Sequence, residues 1–162
     1  MSDLAGQLAT RGNMLPATSA DVMAQIAAIE EKMRGMEQIH PQMEHVLHGG
    51  MYARTCRLDA GVAIVSVLIK IPTMLIVNGG AYIFAGDRWY QIVGYQCMPA
   101  SAGRKQVYVT FQPTEITMIF PSQARTVEDA EREFTDEPDA LLSRQQDNHD
   151  IVVVTGVNAC QG

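Results

Sequence analysis

The chain has 162 residues, enough for one domain with a modest appendage and too few for two independent cores. Apolar residues make up 47% and charged residues 19%, which argues against general disorder and against a membrane-embedded chain. The formal charge of -6, with no Lys/Arg cluster interleaved with aromatics, argues against nucleic acid as a partner.

Residues 1–20 mix Gly6, Gly12, Pro16 and small polar residues without a sustained period, the composition of an extended N-terminal arm. The first ten hold Asp3 and no apolar run, unlike a secretory leader. From 21 to 40 the pattern becomes that of an amphipathic helix, with Ser19 or Asp21 placed to cap it and Pro41 to stop it. Val22, Ile26, Ile29, Met33 and Met36 follow one another at heptad spacing, with Lys32 and Glu37 on the flanks. Such a stripe packs either on the chain's own core, as short amphipathic helices most often do, or on the same helix of a second subunit. These five residues are the candidate oligomer interface.

His40, His45 and His48 follow within nine positions and read as surface histidines near the helix end, since no Cys or carboxylate at ligand spacing accompanies them. Residues 45–122 then form the predicted barrel. Strands are expected over 51–58, 62–69, 73–77, 81–84, 88–93, 95–98, 105–111 and 115–120, with turns at Asn78-Gly79-Gly80, Gly86-Asp87, 99–103 and Gln112-Pro113. The apolar stretch 61–77 is broken by Ser66, Lys70, Pro72 and Thr73 and falls short of the roughly 20 residues that span a bilayer, so no membrane partner is expected. Over 123–162, Thr126 with Asp129 opens one acidic helix through Phe134, Pro138 starts another, and 150–157 is a terminal strand in need of an edge.

Gly50-Met51-Tyr52-Ala53-Arg54, Leu58-Asp59-Ala60-Gly61, Gly94-Tyr95, Pro99, Gly103-Arg104-Lys105, Val107-Tyr108 and Thr114-Glu115 appear in that order, followed by Thr126-Val127-Glu128-Asp129-Ala130-Glu131. As an ordered set they resemble the small cupin-like accessory proteins of tailed bacteriophages, over residues 50–131. The resemblance implies a mainly β fold, a cupin-like jelly-roll (double-stranded β-helix) barrel with an N-terminal helix and short acidic C-terminal helices.

Cupins that do chemistry hold a metal through converging His and Glu donors. Here the corresponding positions are Ile69, Ile71 and Gln106 or Phe120, and no histidine lies between His48 and His149. No metal and no cofactor are therefore expected, and Val67, Ile69, Met118 and Phe120 are read as core. No nucleophile elbow, Walker loop or Gly-rich fingerprint occurs. Cys56, Cys97 and Cys160 are too widely spaced for a disulfide framework and read as structural thiols. Trp89, Tyr90 and Tyr95 read as packing before a stacking platform. Arg54, Arg57, Arg88, Arg104 and Lys105 could converge after folding.

The expectation is a non-enzymatic structural or assembly component of a phage particle, located in the virion, homo-oligomeric and joined to other phage structural proteins. The alternative is a cupin-like phage accessory protein that binds a small ligand, one made by a host defence system among the candidates.

Overall fold

Two hairpins and the strands between them curl one antiparallel sheet around an apolar interior. The computed structural model describes residues 6–7, 14–146 and 149–153. After a two-residue strand β1 (Gly6–Gln7), helix α1 (Ala20–Arg34) opens at Ser19, whose Oγ accepts from the amide of Val22. It ends earlier than the pattern predicts. Gly35 closes it, and Gln38 Nε2 donates to the carbonyls of Met33 and Met36 at 2.9 and 2.8 Å, so the C-terminal acceptors are satisfied before Pro41 is reached.

Strand β2 (Gln42–His48) follows directly and pairs with β3 (Met51–Leu58) across Gly49 and Gly50, both at positive φ, as a two-residue hairpin requires. The sequence pattern begins its strands at Met51 and sets His45 on the surface. Period-two alternation instead turns Met43, His45 and Leu47 inward, and His45 is buried. Next come β4 (Ala63–Val65), β5 (Thr73–Ala85), β6 (Arg88–Ala100), β7 (Val107–Thr110) and β8 (Thr114–Pro121). Helix α2 (Val127–Phe134), capped by Thr126 as expected, a 3-10 turn (Pro138–Ala140), α3 (Leu142–Gln145) and β9 (His149–Val153) complete the described chain.

The strand order is β1-β6-β5-β8-β3-β2-β9, with β7 pairing both β4 and β5. This is a mainly β, curled antiparallel half-barrel with an N-terminal helix and short C-terminal helices, as the sequence pattern predicts. Strand β5 is the branch point. Its first half, 74–78, pairs with β8 and its second half, 81–84, with β7. Asn78-Gly79-Gly80 is thus no turn but the fork itself. At Gly79, φ is +142°, and a Cβ there would meet the carbonyl oxygen of Pro113 at 2.3 Å. Glycine is needed because the turn before β8 lies directly on the strand. The hairpin turn falls at Gly86-Asp87 instead.

Inside the curl lie Tyr52, Leu75, Val77, Ile83, Tyr108, Met118 and Phe120 among others, so the expected core positions Ile69, Met118 and Phe120 are buried. Outside it, Val22 and Ile26 of α1 bury against Phe84 and Val107, with Ile29 packed alongside. The terminal strand finds its edge on this same barrel, β9 running parallel to β2. Residues 154–157 of the expected strand, and most of the arm, lie outside the described residues. No helix among the described residues is long and apolar enough to cross a membrane.

Candidate ligand cavity

Because successive residues of extended chain face opposite sides, the run from 104 to 109, which leads into β7, divides cleanly. Lys105, Val107 and Val109 turn toward α1, where Lys105 Nζ meets Glu30 at 2.9 Å. Arg104, Gln106 and Tyr108 turn inward and are buried. Tyr108 donates to Gln106 Oε1 at 2.7 Å. Arg104 is anchored by Thr73 Oγ1 at 2.6 Å and by the Ser101 carbonyl at 2.8 Å. These three, with Arg54 and Ser66, line a cavity of about 120 Å³ whose other walls are largely apolar, among them Met43, Ile64, Val67, Leu75, Ile116 and Met118.

Burial sets the local acid–base properties. Desolvation pushes the Cys56 thiol, on the same cavity wall, up to about 11 and raises Tyr108 further above its ordinary range. The same desolvation lowers Arg104, with the nearby Tyr108 acting in the opposite direction. No histidine lines this cavity, and among the described residues no group of three His, Cys, Asp or Glu could hold a metal ion. Gln106 does line it, and so does Ile69. Phe120 is packed instead against Tyr52 and Phe134.

One end of the cavity is covered by Phe134 and Ala140 to Leu142. Glu131, buried in α2, accepts from Arg54 at 3.1 Å, from Arg144 at 2.7 Å and from the Ser143 hydroxyl, so one carboxylate holds the C-terminal helices on the sheet. Tyr52 shares a hydrogen bond of 2.8 Å with His45 Nδ1, and burial pushes its phenol up to about 12.

Neither a family model nor a curated protein matches the sequence. Several solved structures with a similar fold are cupins, and others are not described as such. KdgF from Halomonas sp. is 13% identical with a TM-score of 0.45, covering 55% of this chain and 86% of that one. An RmlC-like cupin from Methanocaldococcus jannaschii is 11% identical at 0.44, covering 55% and 84%. The cupin domain of Cnp3 from Schizosaccharomyces pombe is 12% identical at 0.43, covering 65% and 81%. Nothing in these likenesses points to a phage accessory family.

Of the five basic residues considered for convergence, Arg54 and Arg104 reach the cavity. Arg57 is engaged outside it by Glu115 at 2.9 Å and Glu44 at 3.5 Å, and Arg88 sits at the β5–β6 turn over Tyr90. Trp89 and Tyr95 are exposed on β6 and do not line the cavity. The proposed interface residues separate: Val22, Ile26 and Ile29 meet this chain's barrel, Met33 is half-buried, and Met36 is 65% exposed. Arg104, Gln106 and Tyr108 had a legible signal in their spacing of two; Glu131, four residues beyond Val127 on a helix, had none that separated it from a solvated charge.

Proposed function

We propose that the protein binds a small ligand inside the barrel and catalyses no reaction on it. One observation carries this reading: a cavity walled largely by aliphatic side chains has buried polar groups at alternate positions of one segment, Arg104, Gln106 and Tyr108, in its lining. Binding sites combine apolar walls with a few convergent polar groups in this way. The volume of about 120 Å³ suits a ligand well below the drug-sized occupants of clefts of roughly 300–1,000 Å³. Cys56 is a poor nucleophile because its thiol stays protonated at neutral pH.

The test is a thermal-shift panel of small acids, amides, alcohols and amines, with mass-spectrometric mapping of Cys56 alkylation. A ligand at 100 times its Kd should stabilise by about 2.7 kcal/mol and slow the labelling of Cys56. If no compound class does both, the cavity is only a packing defect.

A second reading, as a component of a larger assembly such as a phage particle, draws on exposed apolar side chains of β5 and β6, Met74, Val93 and Tyr95, together with Met36. Light scattering for a homo-oligomer, and mass spectrometry of purified particles for stoichiometric copies of the chain, test it.

A further inference from the structure

We infer that the cavity takes a small carboxylic acid, held as its anion by Arg104 and Gln106. This rests on the reading of the cavity as a ligand site. Arg104 is 1% exposed, and every acceptor it meets is neutral: the Ser101 carbonyl at 2.8 Å, the Ile71 carbonyl at 3.4 Å and Thr73 Oγ1 at 2.6 Å. No ion pair among the described residues includes it. The other cations drawn into the structure do have carboxylates, Arg54 and Arg144 with Glu131 and Lys105 with Glu30.

Two donors are also left over. Arg104 Nε and Gln106 Nε2 are buried with no hydrogen-bond partner. An unpaired buried donor and an uncompensated buried charge are each costly, and they occur here at alternate, buried positions of the segment that leads into β7. Gln106 cannot turn its amide around without cost, because its Oε1 already accepts from Tyr108. A carboxylate answers both deficits at once: it brings one negative charge and two acceptor oxygens, matching one cation and two donor nitrogens. Of the other polar side chains in the lining, Arg54 is paired with Glu131 and the Ser66 hydroxyl donates to the Val67 carbonyl, while Met43, Ile64, Leu75, Ile116 and Met118 suit a short hydrocarbon body. A phosphate would bring more oxygens than these two donor nitrogens can satisfy.

Calorimetric titration of the full chain with straight-chain acids from acetate to hexanoate, with the matched primary amides and alcohols, and with chloride and inorganic phosphate, tests this. One acid should bind at one per chain and protect Cys56 from alkylation, with its amide at least about tenfold weaker, the factor expected when a hydrogen bond to a charged group is lost. Gln106→Met should weaken that acid by about tenfold while leaving Arg104 in place. If amide or alcohol binds as tightly as the acid, or if chloride or phosphate protects Cys56 equally well, the carboxylate assignment is overturned while the ligand cavity stands. If nothing in the series binds or protects Cys56, both fall. The acid-to-amide comparison uses the wild-type chain, so it decides even where a variant fails to fold.

Discussion

Arg54 Nη1 stands 3.1 Å from Oε1 of Glu131, joining β3 to α2 across 77 positions of sequence. The same guanidinium lies over the ring of Phe134, 5.9 Å from its centroid. Since Glu131 also takes Ser143 and Arg144, and Phe134 and Leu141 line the cavity, this carboxylate connects the stability of the C-terminal helices to the closure of the candidate site.

Glu131→Ala should therefore cost about 3–5 kcal/mol in urea unfolding, the range for removing one partner of a buried pair and stranding the other. Arg144→Ala should cost less, because its side chain is 21% exposed and water replaces part of the interaction. Cys56 alkylation should accelerate in Glu131→Ala as the cover loosens. A loss below about 1 kcal/mol would show that the C-terminal helices are held by other contacts.

Helix α1 offers a contrast within one stripe. Ile26, fully buried on Phe84 and Val107, should when changed to Asp destabilise the barrel by at least about 2–5 kcal/mol, the cost of emptying a buried aliphatic site. Met36→Asp should leave the melting temperature within the small range of surface changes. An Ile26→Asp chain that keeps its melting transition while an oligomer dissociates in light scattering would return the stripe to an interface between subunits.

At the fork of β5, Gly79→Ala should destabilise by about 2–4 kcal/mol, combining a strained φ with a clash against the Pro113 carbonyl. Gly61→Ala is the control. Its φ is +79° but nothing lies within 4 Å of an added Cβ, so only the conformational cost of about 1–2 kcal/mol should appear. Equal losses at the two sites would mean that the turn before β8 gives way.

Alkaline pH should weaken the fold in a defined window. Cys56 rises from 9.0 to about 11 and Tyr52 from 10.0 to about 12, so the folded state holds these protons more tightly than the unfolded state. Their stabilisation is complete below about pH 9 and is lost as pH climbs through the folded values. For Cys56 alone the shift amounts to about 2–3 kcal/mol. Cys56→Ala should flatten the fall in melting temperature between about pH 9 and 11, and an unchanged slope would exclude Cys56 as its source.

Local chemistry was enough to read much of this architecture. Thr126 caps α2 and Gly86-Asp87 turns β5 into β6 because those signals act over three or four residues, whatever surrounds them. Alternation likewise placed β3 at its observed bounds, Met51–Leu58, and the resemblance set Phe120 in the core. Asn78-Gly79-Gly80 misled, since the residues that make a tight turn are also those that admit another strand at close range; only the approach of Pro113 distinguishes the two uses. The stripe of α1 left its partner open, because an apolar face states that it will be covered and not by what; Phe84 and Val107, more than fifty positions away, decided it. His45 looked like a surface residue until the Gly49-Gly50 hairpin brought it onto Tyr52. The candidate site belongs wholly to the tertiary level: a period of two puts Arg104, Gln106 and Tyr108 on one face, but only the curl of the sheet buries that face, withholds a carboxylate from Arg104 and leaves its Nε without an acceptor.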